Sequence, residues 1–266
     1  MKLVAASKLR QAQYAQAKAK IYAAELTALI ARLAASVESA SHPLLTKRDP
    51  VKNVLMLVVT SDKGLAGGFN NNLSKQAFAW YKAQKSNFAK IDFSFCGKRG
   101  FMFFKNRTGA KKHYEGVTHK PQFLNAERIG KELVDAFMSN EYQEVYLAYN
   151  RFNNPLSQTP QIEKILPIEA PSLLKGGKAF SADYIFEPLQ DELLEFLIPK
   201  YFYFRIYYAL LENSAGEHGA RMTAMDKATQ SASDLIDKYT LLRNRARQAA
   251  ITKELIEIVS GAEALK

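Results

Sequence analysis

The stretch VLMLVVTSDKGLAGGFN, residues 54–70, decides the fold. Residues 54–60 form an almost continuous apolar run of strand length, as expected of a strand buried on both faces. A glycine-rich turn follows, and a helical pattern continues from about Asn71 to Lys85. A buried strand that leads directly into a helix is the opening unit of an α/β domain.

The residues that follow continue this alternation. Residues 91–96 predict a second strand, residues 125–139 a helix and residues 144–149 a third strand. We therefore expect a mostly parallel sheet covered by helices. Residues 151–189 contain several prolines, and we expect them to be irregular, with short strands near Ile162–Ile168 and Tyr184–Phe186.

Both ends of the chain predict long helices. Residues 1–40 contain neither glycine nor proline, and the prolyl bond at Pro43 ends the pattern. Residues 189–266 predict a second helix that would span on the order of 110 Å, too long for a globular domain to enclose. We expect a kink at Pro199 and weaker helix at Gly216 and Gly219.

The predicted fold class is α/β: a long antiparallel coiled coil of the N- and C-terminal helices plus a small Rossmann-like α/β domain. The predicted segments are an N-terminal coiled-coil helix (1–42), an α/β domain (43–188) and a C-terminal coiled-coil helix (189–266). No run of residues approaches the length of a membrane span.

The net charge of +11 predicts an anionic partner, which could be nucleic acid, a lipid surface or an acidic protein. The one cysteine, Cys96, cannot form an internal disulfide and is expected in the core. Basic residues alternate with phenylalanines in residues 93–107, as in some single-strand-binding surfaces. Strand-core aromatics followed by a basic helix explain that segment better.

Catalytic signatures are missing from the sequence. The glycines of residues 61–70 fit no phosphate-loop spacing, so we expect them to form a tight strand-to-helix turn. The histidines share no metal-ligand spacing, and His113 and His119 are expected to be solvated in a basic loop. We expect no cofactor and no catalytic residue in this chain. Its aromatic segment, residues 201–208, predicts either a partner contact or docking onto the α/β domain.

Four stretches resemble the gamma subunits of F-type rotary ATP synthases. They are MKLVAASKLR at residues 1–10, SDKGLAGGFN at residues 61–70, EHGARMTAMDKA at residues 217–228 and ITKELIEIVSGAEA at residues 251–264. The last is the most specific, because a dozen positions of mixed chemistry match in register.

The resemblance implies a rotor shaft that catalyses nothing itself. It implies that the coiled coil turns inside a ring of alpha and beta subunits and couples proton flow to ATP synthesis or hydrolysis. The α/β domain would lie beside the epsilon subunit on the c-subunit ring, with one copy per complex. Membrane contact would be made only through the c ring, at the cytoplasmic face of the bacterial inner membrane rather than the mitochondrial matrix side.

The resemblance also implies contact residues. Met1, Arg247, Gln248, Thr252 and Glu254 match positions that touch the alpha/beta ring.

Tyr201 and Tyr203 match the foot over the c ring, although the family often has an acid at the position of Tyr203. The family's N-terminal helix usually starts before the position of Met1, so we expect a shortened shaft or a start further upstream. The alternative to this function is a basic nucleic-acid-binding module with a coiled-coil arm.

Overall fold

The computed structural model describes residues 1–36, 42–168 and 190–264. In chain order, its helices and strands are α1 (Lys2–Ser36), β1 (Asn53–Val59), α2 (Phe69–Gln84), β2 (Lys90–Cys96), α3 (Lys98–Phe104), β3 (Lys112–Tyr114), α4 (Phe123–Met138), β4 (Glu144–Asn154), β5 (Ser157–Leu166) and α5 (Gln190–Glu263). The chain divides into two units, residues 1–223 and residues 224–266.

The sheet has five strands in the order β3-β2-β1-β4-β5. The first four are mutually parallel, and β5 pairs antiparallel with β4. β1 lies in the centre, and its residues Val54 to Val59 are all buried, which explains the unbroken apolar run. The predicted mostly parallel sheet is confirmed.

Successive side chains of β1 point to opposite faces of the sheet. Met56 and Val58 join a cluster with Phe93, Phe95 and Phe104, packed by α2 and α3. The odd-numbered residues of β1 face the larger core, which is formed with α1, α4 and α5. Its members include Leu55 and Leu57 of β1, Ile30 of α1, Leu133 of α4 and Phe202 of α5. Phe93, Phe95 and Phe104 are core residues, and Phe101 and Phe103 pack partly buried against them, which agrees with the predicted strand-core aromatics followed by a basic helix.

α1 packs antiparallel on α5 within the first unit. Gln16 donates a hydrogen bond to Glu212 at 2.7 Å, and the rings of Tyr22 and Phe204 lie 4.8 Å apart. The later residue of α1 contacts the earlier residue of α5, so the two helices run in opposite directions. The predicted antiparallel pairing is confirmed for this part. α5 continues through Pro199 as one helix.

The prediction for this region was right only in part: the short strand expected near Ile162–Ile168 falls on the second half of β5, but residues 151–161 are not irregular. β4 extends to Asn154 and forms a hairpin with the ten-residue β5, although Pro160 lies within it. β5 is an edge strand, where a missing amide hydrogen need not break a ladder. Residues 184–186, predicted as a strand, lie outside the described residues.

The expectation that His113 is solvated was also wrong. His113 belongs to β3, which the sequence did not reveal, and its ring stacks on Phe101 with the centroids 4.6 Å apart. His119 is exposed, as expected, and Cys96 is fully buried. Burial raises the pKa of the Cys96 thiol, which keeps it protonated and unreactive.

Candidate functional site

The turn between β1 and α2 is closed by its own side chains. Ser61 N donates to Asn70 Oδ1 at 2.9 Å, and Asn70 Nδ2 donates to Ser61 Oγ at 2.8 Å. Leu65 and Gly67 have positive φ angles of 62° and 56°, so the chain reverses within a few residues. This geometry agrees with a tight strand-to-helix turn.

The carboxylate of Asp62 ties the same turn to its neighbours. It accepts hydrogen bonds from Lys98 N and Thr118 Oγ1, both at 3.0 Å. A carboxylate in this position repels a phosphate. Together with the glycine spacing, this argues against nucleotide binding by the turn.

α5 docks onto this turn through two buried polar side chains. Arg221 donates from Nε and Nη2 to Gly64 O at 3.2 and 3.1 Å. Asn213 Nδ2 donates to Thr60 O at 3.1 Å. Two of the four stretches that carry the family resemblance, residues 61–70 and 217–228, therefore meet at this joint.

Arg221 also holds two neighbours on its own helix. It forms an ion pair with Glu217, and its Nη1 lies 3.2 Å from Nδ1 of His218. Burial, together with the positive charges of Arg221 and Lys8, lowers the pKa of His218 to about 4. The imidazole is therefore neutral at pH 7, and Nδ1 accepts the hydrogen bond.

Burial raises the pKa of Glu217, while the guanidinium of Arg221 opposes that rise. Perturbed carboxylates often mark catalytic sites, but structural ion pairs perturb them as well. The described part of the chain holds no group of three metal-ligating side chains. The donors of Arg221 and Asn213 are bonded to protein groups, whereas the buried Oδ1 of Asn213 has no partner among the described residues; we interpret the joint as a mechanical connection.

Gly216 and Gly219, expected to weaken the helix, lie where α5 packs closely against Phe69 and Pro155. A Cβ at Gly216 would come within 2.7 Å of the Phe69 ring, and one at Gly219 within 3.1 Å of Pro155 Cα. The lower helix propensity of glycine is thus accepted in exchange for close packing against α2 and the β4–β5 hairpin.

Sequence reasoning missed Glu212, which connects three elements of the first unit. Its carboxylate accepts hydrogen bonds from Gln16 of α1 and from the backbone N of Phe152 in β4. Glu212 is buried, and it follows the apolar residues Ala209, Leu210 and Leu211. A lone acid at the end of such a run was the available signal, because a buried carboxylate requires partners.

The four predicted ring-contact residues of the C-terminal region lie on α5 in the second unit. Arg247, Gln248, Thr252 and Glu254 are all exposed. Their spacing of four and seven residues places Gln248 with Thr252 and Arg247 with Glu254 on one broad helix face. Met1 precedes α1 in the first unit and is 78% exposed.

Large apolar side chains are also exposed along the second unit. They form two groups, Leu235, Tyr239 and Leu242 at intervals of four and three residues and, nine residues further on, Ile251, Leu255, Ile258 and Val259; we call the two groups together the apolar stripe. Exposed apolar surface of this extent marks an interaction site.

The predicted foot residues lie differently. Tyr201 is only 8% exposed and belongs to the main core. Tyr203 is half-buried, with its ring against Gly130 of α4. The aromatic segment of residues 201–208 docks onto α1 and α4, which was one of the two predictions for it.

Comparisons with known protein families and sequences match ATP synthase proteins. The family model described as ATP synthase matches residues 1–265. The ATP synthase gamma chain of Geobacter metallireducens is 44% identical over 266 residues, which cover 100% of this chain and 92% of that relative. The ATP synthase gamma chain of Pelotomaculum thermopropionicum is 43% identical over 267 residues with the same coverage.

Solved structures share the fold. A chain in the central stalk and c ring of the Tetrahymena thermophila mitochondrial ATP synthase superposes with a TM-score of 0.60 at 21% identity, covering 86% of this chain and 97% of that one. A chain of the Euglena gracilis mitochondrial ATP synthase gives a TM-score of 0.60 at 17% identity, covering 99% and 94%.

Proposed function

Because the chain belongs to the family of ATP synthase gamma chains, we propose that α5 beyond Ala224 is the part of this central rotor shaft that turns against its partners. The chain is a non-catalytic subunit of the F-type ATP synthase, whose catalytic sites lie on the beta subunits. The joint around Arg221, whose guanidinium is bonded to Gly64 and to Glu217 and His218 of its own helix, is consistent with that role.

The observation that carries the proposal is the exposed apolar stripe of the second unit. A helix that buries little within its own chain gains its stability from packing against other surfaces. We propose that the ring of alpha and beta subunits supplies that surface. Arg247, Gln248, Thr252 and Glu254 would then make its specific polar contacts, and Met1 a further contact from α1.

The first unit is proposed to contact the epsilon subunit and the c ring. Of the two foot residues, Tyr203 has the greater exposed surface and would make any c-ring contact, since Tyr201 is used in the core. Among the described residues, no helix is long and apolar enough to cross a membrane. We propose that the chain, in one copy per complex, reaches the membrane only through the c ring.

The named relatives are bacterial, which favours the cytoplasmic face of a bacterial inner membrane over the mitochondrial matrix. The alternative function, a nucleic-acid-binding module, has no support from the comparisons. Copurification separates the two: we expect alpha and beta subunits to be recovered with the chain. Recovery of nucleic acid that is lost at high salt, without those subunits, would contradict the proposal.

The contact residues are tested by single substitutions in the assembled complex. We expect Arg247→Gln and Glu254→Gln each to lower ATP-driven proton transport several-fold, because interface energy concentrates in a few polar and aromatic anchors. Lys253→Gln is the matched control, since Lys253 neighbours Glu254 but pairs with Glu257 on its own helix at 3.6 Å. Equal transport by all three variants would rule out the proposed contacts.

A further inference from the structure

A surface cleft opens at the edge of the sheet where β1 and β4 begin. Its volume is about 410 Å³, and it is lined by Lys47, Arg48, Asp49, Pro50, Lys52, Asn140 and Gln143. β1 separates this edge from the joint at Thr60 by about 20 Å, given the rise per residue of a strand. The cleft is therefore distinct from the surfaces discussed above.

The lining of the cleft carries three cations and one carboxylate, that of Asp49. Among the described residues, neither Lys47 nor Lys52 has a carboxylate within ion-pair distance. Glu141, the next acid along the turn, is paired with Lys111 at 2.5 Å. The cleft thus holds a net positive charge of about two, which favours an anionic ligand.

Arg48 is held in place before any ligand arrives. Its guanidinium carbon lies 4.1 Å from the centroid of the Phe137 ring, and Nη1 donates to Asn140 Oδ1 at 3.0 Å. Most of the guanidinium donors remain for another acceptor. A donor that is fixed in advance loses less conformational entropy on binding.

Asn140 is fixed as well. Its φ of 59° places it in the left-handed region, and Gln143 Nε2 donates to both its backbone O and its Oδ1 at 3.1 Å. Because Oδ1 accepts from Arg48 and Gln143, the assigned amide orientation turns Nδ2 away from both. Asn140 is exposed, and within the described part of the chain its Nδ2 has no protein acceptor, so this donor is open to water or to a ligand.

A simpler explanation covers part of this arrangement. Arg48 lies near the C-terminal end of α4, where the helix dipole favours a cation. That explanation does not account for Lys47 and Lys52, whose charges face the same cleft.

We propose that this cleft binds a phosphate group, either free or as the headgroup of an anionic phospholipid. A guanidinium fork matches two phosphate oxygens, and the two lysines add mobile positive charge around it. The volume lies within the range of small-ligand sites, and the polar lining suits a charged group rather than an apolar one. The proposal does not depend on the proposed contacts of the second unit.

The test uses the full chain and lysine acetylation followed by mass spectrometry. Inorganic phosphate is expected to protect Lys47 and Lys52, relative to chloride at the same ionic strength. Lys75 on α2 is exposed outside the cleft and serves as the internal control. Equal protection of Lys75 overturns the proposal. The proposal also fails if neither inorganic phosphate nor the phosphatidylglycerol vesicles described below protect Lys47 and Lys52.

Three variants make the test specific. Arg48→Gln is expected to weaken binding roughly tenfold, the value of one hydrogen bond to a charged group. Asn140→Gly keeps the left-handed backbone and is expected to weaken it less. Asp49→Asn removes the repelling carboxylate and is expected to tighten phosphate binding. A variant that failed to fold would instead bind more weakly, so the two effects can be distinguished. An unchanged affinity in all three overturns the proposal.

Vesicles distinguish the two sources of phosphate. Phosphatidylglycerol vesicles are compared with phosphatidylcholine vesicles in the same acetylation assay. Protection by phosphate but not by phosphatidylglycerol assigns the cleft to free phosphate. Protection by phosphatidylglycerol alone assigns it to a lipid headgroup, and the Arg48→Gln variant must weaken the protection in either case.

Discussion

The ring of Tyr203 lies directly on Gly130 of α4, with no space for a methyl group between the two helices. We therefore expect Gly130→Ala to destabilise the protein by about 1 to 2 kcal/mol, as overpacking outweighs the gain in helix propensity. Urea unfolding monitored by circular dichroism measures this.

Gly261→Ala is the matched control, because a Cβ there meets no atom within 4 Å. It should leave stability unchanged or raise it by up to ~1 kcal/mol. If Gly130→Ala were as harmless as Gly261→Ala, the close approach would be wrong. Adding Tyr203→Ala should remove most of the extra cost of Gly130→Ala.

Glu212 offers a test of how α1 is held to the rest of the first unit. Glu212→Gln keeps the shape of the side chain but replaces one of its two acceptor oxygens by a donor. We expect a loss of about 1 to 3 kcal/mol in the free energy of unfolding, because a buried polar group is left without its partner. Glu192→Gln, at an exposed position of α5, should cost less than ~0.5 kcal/mol. Equal values for the two variants would contradict the assigned role.

His218 predicts a loss of stability in mild acid. Its pKa is lowered to about 4 in the folded chain, whereas an unfolded histidine titrates near 6.5. Between these values the unfolded state binds a proton that the folded state does not, so stability falls as the pH falls from about 6.5 to 4. We expect this histidine to contribute about 1 to 3 kcal/mol to the loss.

The measurement is the free energy of unfolding at several pH values for the parent and for His218→Gln. The variant should lose less stability across that window, since glutamine does not titrate. Glu217 is present in both proteins, so its raised pKa affects both curves and largely cancels in the difference. Identical slopes would show that His218 remains accessible to protons in the folded chain.

Ile258 separates a role in assembly from a role in folding. Its side chain is 68% exposed on the apolar stripe, so Ile258→Ser should change the stability of the free chain by less than ~0.5 kcal/mol. The same substitution should reduce recovery of the alpha and beta subunits, because polar atoms replace apolar contact. Unchanged recovery would mean that Ile258 faces no partner.

Parts of this fold could be predicted because their signals are local. The apolar run at residues 54–59 indicated a central buried strand, and the turn after it indicated α/β order. Only the second half of β5 was predicted, because Pro160 argues against a strand unless the strand is known to lie at an edge, which depends on the whole sheet.

The joint was less predictable still. The contact between Arg221 and Gly64 depends on how α5 lies over the sheet. No pattern within residues 61–70 or residues 217–228 contains this information. Similarly, the pairing of Gln16 with Glu212 follows from the register of two helices that are distant in sequence. The proposed ring contacts at Arg247 and Glu254 come from resemblance, and the structure adds that both side chains are exposed.

The apolar stripe has a consequence for how the cell handles this protein. A copy that finds no partner displays the kind of surface that chaperones bind and proteases select. We expect surplus copies to be degraded, so that assembly rather than synthesis sets the number of shafts. Pulse-chase labelling tests this: the half-life should shorten when the alpha and beta subunits are depleted, and Ile258→Ser should lengthen it under that condition.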